Sequence, residues 1–192
     1  MTTQTQTQIQ TEAQDITQAQ FWQSIEQFIL RFATPALTDD SRHVIPGYVN
    51  DQTLPPDGGD FAVYAPIRME RQGTTIEKWR TGDIIEWDEY VQATVQIDCY
   101  STSPVRAFKR VSTLEMIARS EAAVQHFSSL GIDCLYGENV RDLSGVLDSG
   151  KYVSRWSFEL SLGFWKKAQT PMEYFTHADV DVVNVDVRFP PS

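Results

Sequence analysis

Cysteine is scarce in this 192-residue chain: Cys99 and Cys134 stand far apart and form no CxxC pair. That excludes a disulfide scaffold and suits a reducing compartment. Histidine is scarce too. His43, His126 and His177 are scattered, with no HxxxH or HExxH spacing, so no metal site is expected. GxSxG, GxxxxGK[ST] and GxGxxG are all missing, which removes the nucleophile elbow, the phosphate loop and the dinucleotide fingerprint. No apolar run reaches the roughly 18 residues of a membrane-spanning helix. The start of the chain lacks the apolar stretch of a secretory signal. Positive charge is in deficit: 16 bases against 26 acids give a net charge of −10. Such a chain repels phosphate through its overall field, which leaves only a local basic patch for nucleic acid.

What is present is enough apolar material for a core. Hydrophobic residues make up 41% of the chain and aromatic residues 11%. The first 20 residues contain 7 Gln and 6 Thr and no aromatic side chain. A segment of that kind cannot offset its ordering entropy by burial. The expectation is a disordered Gln/Thr-rich arm over residues 1–16 and a single domain over 17–192. Thr17 is placed to cap a helix carrying Phe21, Trp22, Ile25, Phe28, Ile29 and Phe32. At about 100° per residue these six fall within roughly 120° of arc, an amphipathic stripe that Pro35 ends.

Residues 39–59 hold three prolines and three glycines and read as a long loop with at most a short strand near His43–Ile45. Phe61–Met69 reads as a strand in which Pro66 predicts an edge or a bulge. Residues 71–88 read as a hairpin or extended loop with Trp79 and Trp87. From Tyr90, Val91, Ala93, Val95, Ile97 and Cys99 alternate with Gln92, Thr94, Gln96 and Asp98, a half-buried strand. Ser103-Pro104 opens a helix whose inner stripe is Ala107, Val111, Leu114 and Ala118, flanked by Phe108. A short helix from about Ser120 to Leu130 stops at Gly131. Strands follow at Ile132–Tyr136, Tyr152–Lys166 and about Val180–Phe189, with a turn-rich connection over residues 140–150. Strands come in runs, so the fold class is α+β, an antiparallel or mixed β-sheet with helices packed on one face.

Three groups of polar residues are candidates for sites. Asp57-Gly58-Gly59-Asp60 lacks the ligand series of a calcium loop and reads as a turn. A bulge at Val182–Val183 would place Asp179, Asp181, Asn184 and Asp186 on one face. That row would bind a cation, line an acidic surface, or simply be the solvated side of a strand. Arg106, Lys109 and Arg110 cluster on what reads as the outer side of the second helix, near Arg119. They form either a solvated face or, in so acidic a chain, a patch for an acidic surface of an identical subunit.

The segments VQATVQIDCYS, PVRAFKRVSTLEMIARS, FSSLGI and VRDLSGVLDSGKYVSRWSFELSLGFW, followed by the Val/Asp-rich end, resemble the neck and tail-terminator proteins of tailed bacteriophages. The Arg141-Asp142-Leu143 turn before the long strand is the most distinctive local match. The resemblance implies a structural virion protein of the neck, not an enzyme, with no cofactor. It implies a ring, commonly a hexamer, that caps the tail tube and joins tail to head. Its partners would be copies of itself, the tail tube protein and head–tail connector proteins. DNA would only pass through the channel, helped by like-charge repulsion from an acidic lumen, and no membrane would be involved. The implied location is the virion neck, reached from the host cytoplasm during assembly. A head-completion or connector protein is the neighbouring alternative. A small monomeric binding module and a hydrolase built on Asp/Glu pairs are alternatives of other classes.

Overall fold

The computed structural model describes residues 18–37, 43–47, 59–80, 84–146 and 152–171. Helix α1 (Gln18–Phe32) is followed by strands β1 (Val44–Pro46), β2 (Phe61–Arg71), β3 (Ile76–Arg80) and β4 (Ile84–Ser101). Helices α2 (Pro104–Ala118) and α3 (Glu121–Ser128) come next, then β5 (Ile132–Gly137), β6 (Arg141–Asp142), β7 (Gly145–Val146) and β8 (Tyr152–Pro171). The sheet order is β1-β2-β4-β8-β5, with β3 on β4 and β6 and β7 on β8. Among the described strands only β1–β2 is parallel, so the sheet is mixed and the domain is α+β.

The spine is the antiparallel pair β4–β8, in register without a bulge from Ile84↔Pro171 to Ser101↔Ser154. Its central stretch has one apolar side. Val91, Ala93, Val95, Ile97 and Cys99 of β4 lie opposite Phe164, Leu162, Leu160, Phe158 and Trp156 of β8. All but the half-buried Trp156 are buried, and the helices cover them. Helix α1 contributes Phe21, Ile25, Phe28 and Ile29; α2 contributes Val111, Leu114 and Ala118; α3 contributes Ala123 and Phe127. The aromatic weight of α1 is used here: Phe21 meets Phe164 at 4.9 Å between ring centres, and Phe28 meets Phe127 at 5.2 Å. Burying each such side chain contributes about 1.5–3 kcal/mol.

Several sequence expectations are extended. The register of β2 shifts between Pro66 and Arg68, the bulge that proline forces where a ladder donor is missing. Residues 76–88 form the hairpin β3–β4, so β4 begins at Ile84, well before Tyr90. Within the connection after β5, β6 and β7 are short strands laid on β8. The serine that satisfies the start of α2 is Ser101, whose Oγ accepts the Ser103 N–H at 3.0 Å; Ser103 makes no side-chain cap. Gly131 has φ 73°, the left-handed value that ends α3. Thr17, the 1–16 arm, most of the 39–59 loop and the strand expected at 180–189 lie outside the described residues.

Candidate assembly surface

Helix α2 is amphipathic in an unusual sense, because both of its faces carry apolar side chains. About 100° per residue sets Ala107, Val111, Leu114 and Ala118 on one side. The same arithmetic sets Val105, Lys109, Ser112 and Met116 on the opposite side, with Phe108 at the margin. Val105 is 74% exposed, Met116 64% and Phe108 46%. Together with Lys109, Ser112 and Thr113 they line an open hollow of ≈ 380 Å³. Phe108 leans on Trp156 of β8, with ring centres 4.7 Å apart. A row of apolar side chains two to three turns long and facing water is a surface suited to a protein partner. In the sequence this stripe shows only as Val105, Phe108 and Met116 spaced among basic and hydroxyl residues, a weaker pattern than the inner stripe.

The basic cluster itself is split by the structure. Arg110 is not on the outer side: its side chain is 1% exposed, and it lies about 40° from Leu114 on the inner face. Its Nε donates to the Pro35 carbonyl at 2.8 Å, and its Nη2 to Asp60 Oδ2 at 3.1 Å. Arg110 therefore ties α2 to the chain after α1 and to the start of β2. It does not belong to any outward patch. Arg106 is half-exposed, with Nε 3.5 Å from the same Asp60 oxygen. Only Lys109 of the three is exposed without an ion pair among the described residues. Arg119 is spent on closing α2, pairing with Glu115 at 2.5 Å and donating to the Gly137 carbonyl at 3.1 Å. Asp60, just before β2, has its carboxylate engaged by Arg110 and Arg106. Asp179, Asp181, Asn184 and Asp186 lie outside the described residues.

The groups able to do chemistry are structural where they are described. Among the described residues, no three His, Cys, Asp or Glu side chains gather as a metal cluster would. His43 Nδ1 is 2.9 Å from the Asp60 carbonyl and His126 Nε2 is 3.0 Å from the Ser24 carbonyl, so each imidazole holds two segments together. Cys99 is wholly buried, which pushes its thiol up to about 12. Burial pushes Cys134 up to about 11. Neither is a nucleophile at neutral pH.

The sheet side away from the helices is polar. Asp98 pairs with Arg155 at 2.8 Å, and Arg141 bridges Glu159 at 3.0 Å and Glu138 at 3.1 Å. Tyr90 Oη donates to Asp133 at 2.7 Å, and burial together with that bond pushes its phenol up to about 12. Asp98, Arg155, Arg141, Glu159 and Glu138 are thus paired among themselves on this side, whereas the α2 stripe is left apolar and open.

A family model described as "Phage neck terminator protein" matches residues 19–191. The chain belongs to the phage neck terminator family. A search among curated proteins finds no match. The family is a structural one, so this neck terminator is a part of the phage neck and works through contacts with other virion components. The matched span takes in α1, the whole sheet and the α2 surface together.

Proposed function

We propose that this neck terminator forms a closed ring, a hexamer, that caps the tail tube and joins the tail to the head. The observation that carries the reading is the open apolar stripe of α2 on a chain of net charge −10. Copies of so acidic a chain repel one another at long range, so association requires local apolar contact. The stripe supplies that contact on a rigid helix whose other face is anchored in the core. The family membership supplies the setting, since a neck part must meet both tail and head components. Assembly in the host cytoplasm and DNA passing unbound through an acidic channel complete the proposal. The sequence resemblance that first pointed to tail capping covers the same elements.

The test is electron microscopy of purified tail tube protein polymerising with and without the chain. Tubes with the chain should stop growing and carry extra density at one end only. Tubes that reach the same lengths, with bare ends, would overturn the capping role.

A further inference from the structure

Beyond the helices, the spine continues as a three-stranded arm made of β3, residues 84–89 of β4 and residues 166–171 of β8. Register assigns its two sides. Trp79 lies opposite Ile85, and Glu77 opposite Trp87, on the side that farther along carries Val91 and the core. Ala168 is opposite Trp87 on β8. Among the described residues no helix packs extensively on β3, although Ile85 within the row is buried. Trp79 is 61% exposed, Trp87 is half-buried, and Glu77 is exposed with no ion pair among the described residues. The opposite side of the arm carries the Lys78–Asp88 pair and the Gln169–Glu86 hydrogen bond beside the exposed Ile76.

We infer that this tryptophan patch on one copy docks on the α2 stripe of the next copy, with Glu77 against Lys109. The inference rests on the proposed ring and names its contact. Three observations converge. The first is that Trp79 and the α2 stripe are both apolar and exposed, and that Glu77 beside the one and Lys109 beside the other are opposite charges without ion pairs among the described residues. Stripe on stripe would bring Lys109 and Arg106 toward their own counterparts. Like charges therefore disfavour pairing of two stripes. The second is position. Trp87 lies twelve residues along β4 from Cys99, whose partner Trp156 supports Phe108. At about 3.3 Å per residue the two surfaces are roughly 40 Å apart, so one copy cannot satisfy its own stripe. Each contact leaves one patch and one stripe unused, so addition continues until the ring closes. The third is chemistry: an exposed tryptophan and a methionine-containing groove are the side-chain types that anchor interfaces.

The experiment is sedimentation velocity on the full chain and its variants, with circular dichroism to confirm folding. Trp79→Glu and Met116→Glu should each abolish assembly when alone. Mixed one to one, they should form a 1:1 dimer and nothing larger, because only one good contact can be made between them. Glu77→Lys and Lys109→Glu should each weaken assembly about tenfold or more, and the double variant in one chain should restore it. If Trp79→Glu or Met116→Glu misfolds, the charge-reversal set decides alone. Variants that assemble like the parent, or a mixture that stays monomeric while the parent forms rings, would overturn this contact and leave the ring standing. A parent chain that remains monomeric at high concentration would overturn both.

Discussion

Arg110 and Lys109 are neighbours in sequence with opposite fates. A charged residue at the edge of an inner stripe reads as outward only if charge is weighed above position on the helix. Here Asp60 and the Pro35 carbonyl provide partners that make burial of a guanidinium tolerable. Arg110→Ala would leave both acceptors without their main donor and should cost about 3 kcal/mol in urea unfolding, with Arg106 retaining part of the Asp60 interaction. Lys109→Ala should change stability by less than about 0.5 kcal/mol. Gly163 is a second position set by one contact, since a Cβ there would lie 2.0 Å from the Tyr90 hydroxyl oxygen. Gly163→Ala should displace Tyr90 from Asp133 and lower stability by about 1–3 kcal/mol, and Tyr90→Phe should recover little of that loss because the ring still fills the space. Burial also sets an alkaline limit. The Cys99 thiol rises from 9.0 to about 12, so between those values the unfolded chain has released a proton that the folded chain keeps. Stability from this group is complete below pH 9.0 and is lost as pH rises toward 12. Cys134 and Tyr90 act in the same direction. Unfolding midpoints should therefore fall above pH 9.0, and Cys99→Ala should make that fall shallower.

At the level of elements, the periodic segments were legible and the extensions were not. The α1 stripe, the alternation of β4 from Val91 to Cys99 and that of β8 from Trp156 to Phe164 match the observed core, because each has one apolar side and burial leaves a period to read. The start of β4 is legible only as part of a hairpin or extended loop over 71–88, and the end of β8 beyond Lys166 is not legible. Their residues mix Glu, Asp, Lys and Gln with Trp and Ile, and burial falls on both sides, on Ile85 as well as on Glu86 and Asp88, so no apolar period is left to read. The polar side of β4 shows another limit: Thr94 and Asp98 are 3% and 4% exposed, although alternation assigns them to solvent. A strand paired on both edges hides short side chains beneath its neighbours, and the Arg155 guanidinium closes over Asp98. Register predicts a clear contrast in β8. Leu160→Ala should cost about 2–5 kcal/mol, as expected for a fully buried leucine. Glu159→Ala loses only the partly exposed Arg141 pair and should cost less than about 1 kcal/mol. Equal losses in chemical denaturation would mean that the register is shifted by one residue.

For the whole molecule, the architecture separates stability from assembly. The core lies between the helices and the central part of the spine, while the α2 stripe and the arm patch contribute little to it and stand at opposite ends. Substitutions on those two surfaces should consequently leave the melting temperature close to the parent value while changing the size of the particle. The polar leader belongs to the same level. Removing Met1–Asp15, which contain no aromatic residue, should shift the melting temperature by less than about 5 °C. The central claim is that an acidic structural subunit of the phage neck closes into a ring through repeated contacts between unlike surfaces. Native mass spectrometry of the purified full chain tests it most directly. The account predicts one dominant species at a single integer multiple of 21.9 kDa, with six copies, and only a minor monomer at micromolar concentration. A spectrum holding only the 21.9 kDa monomer, or an open ladder of sizes with no preferred closure, would contradict it.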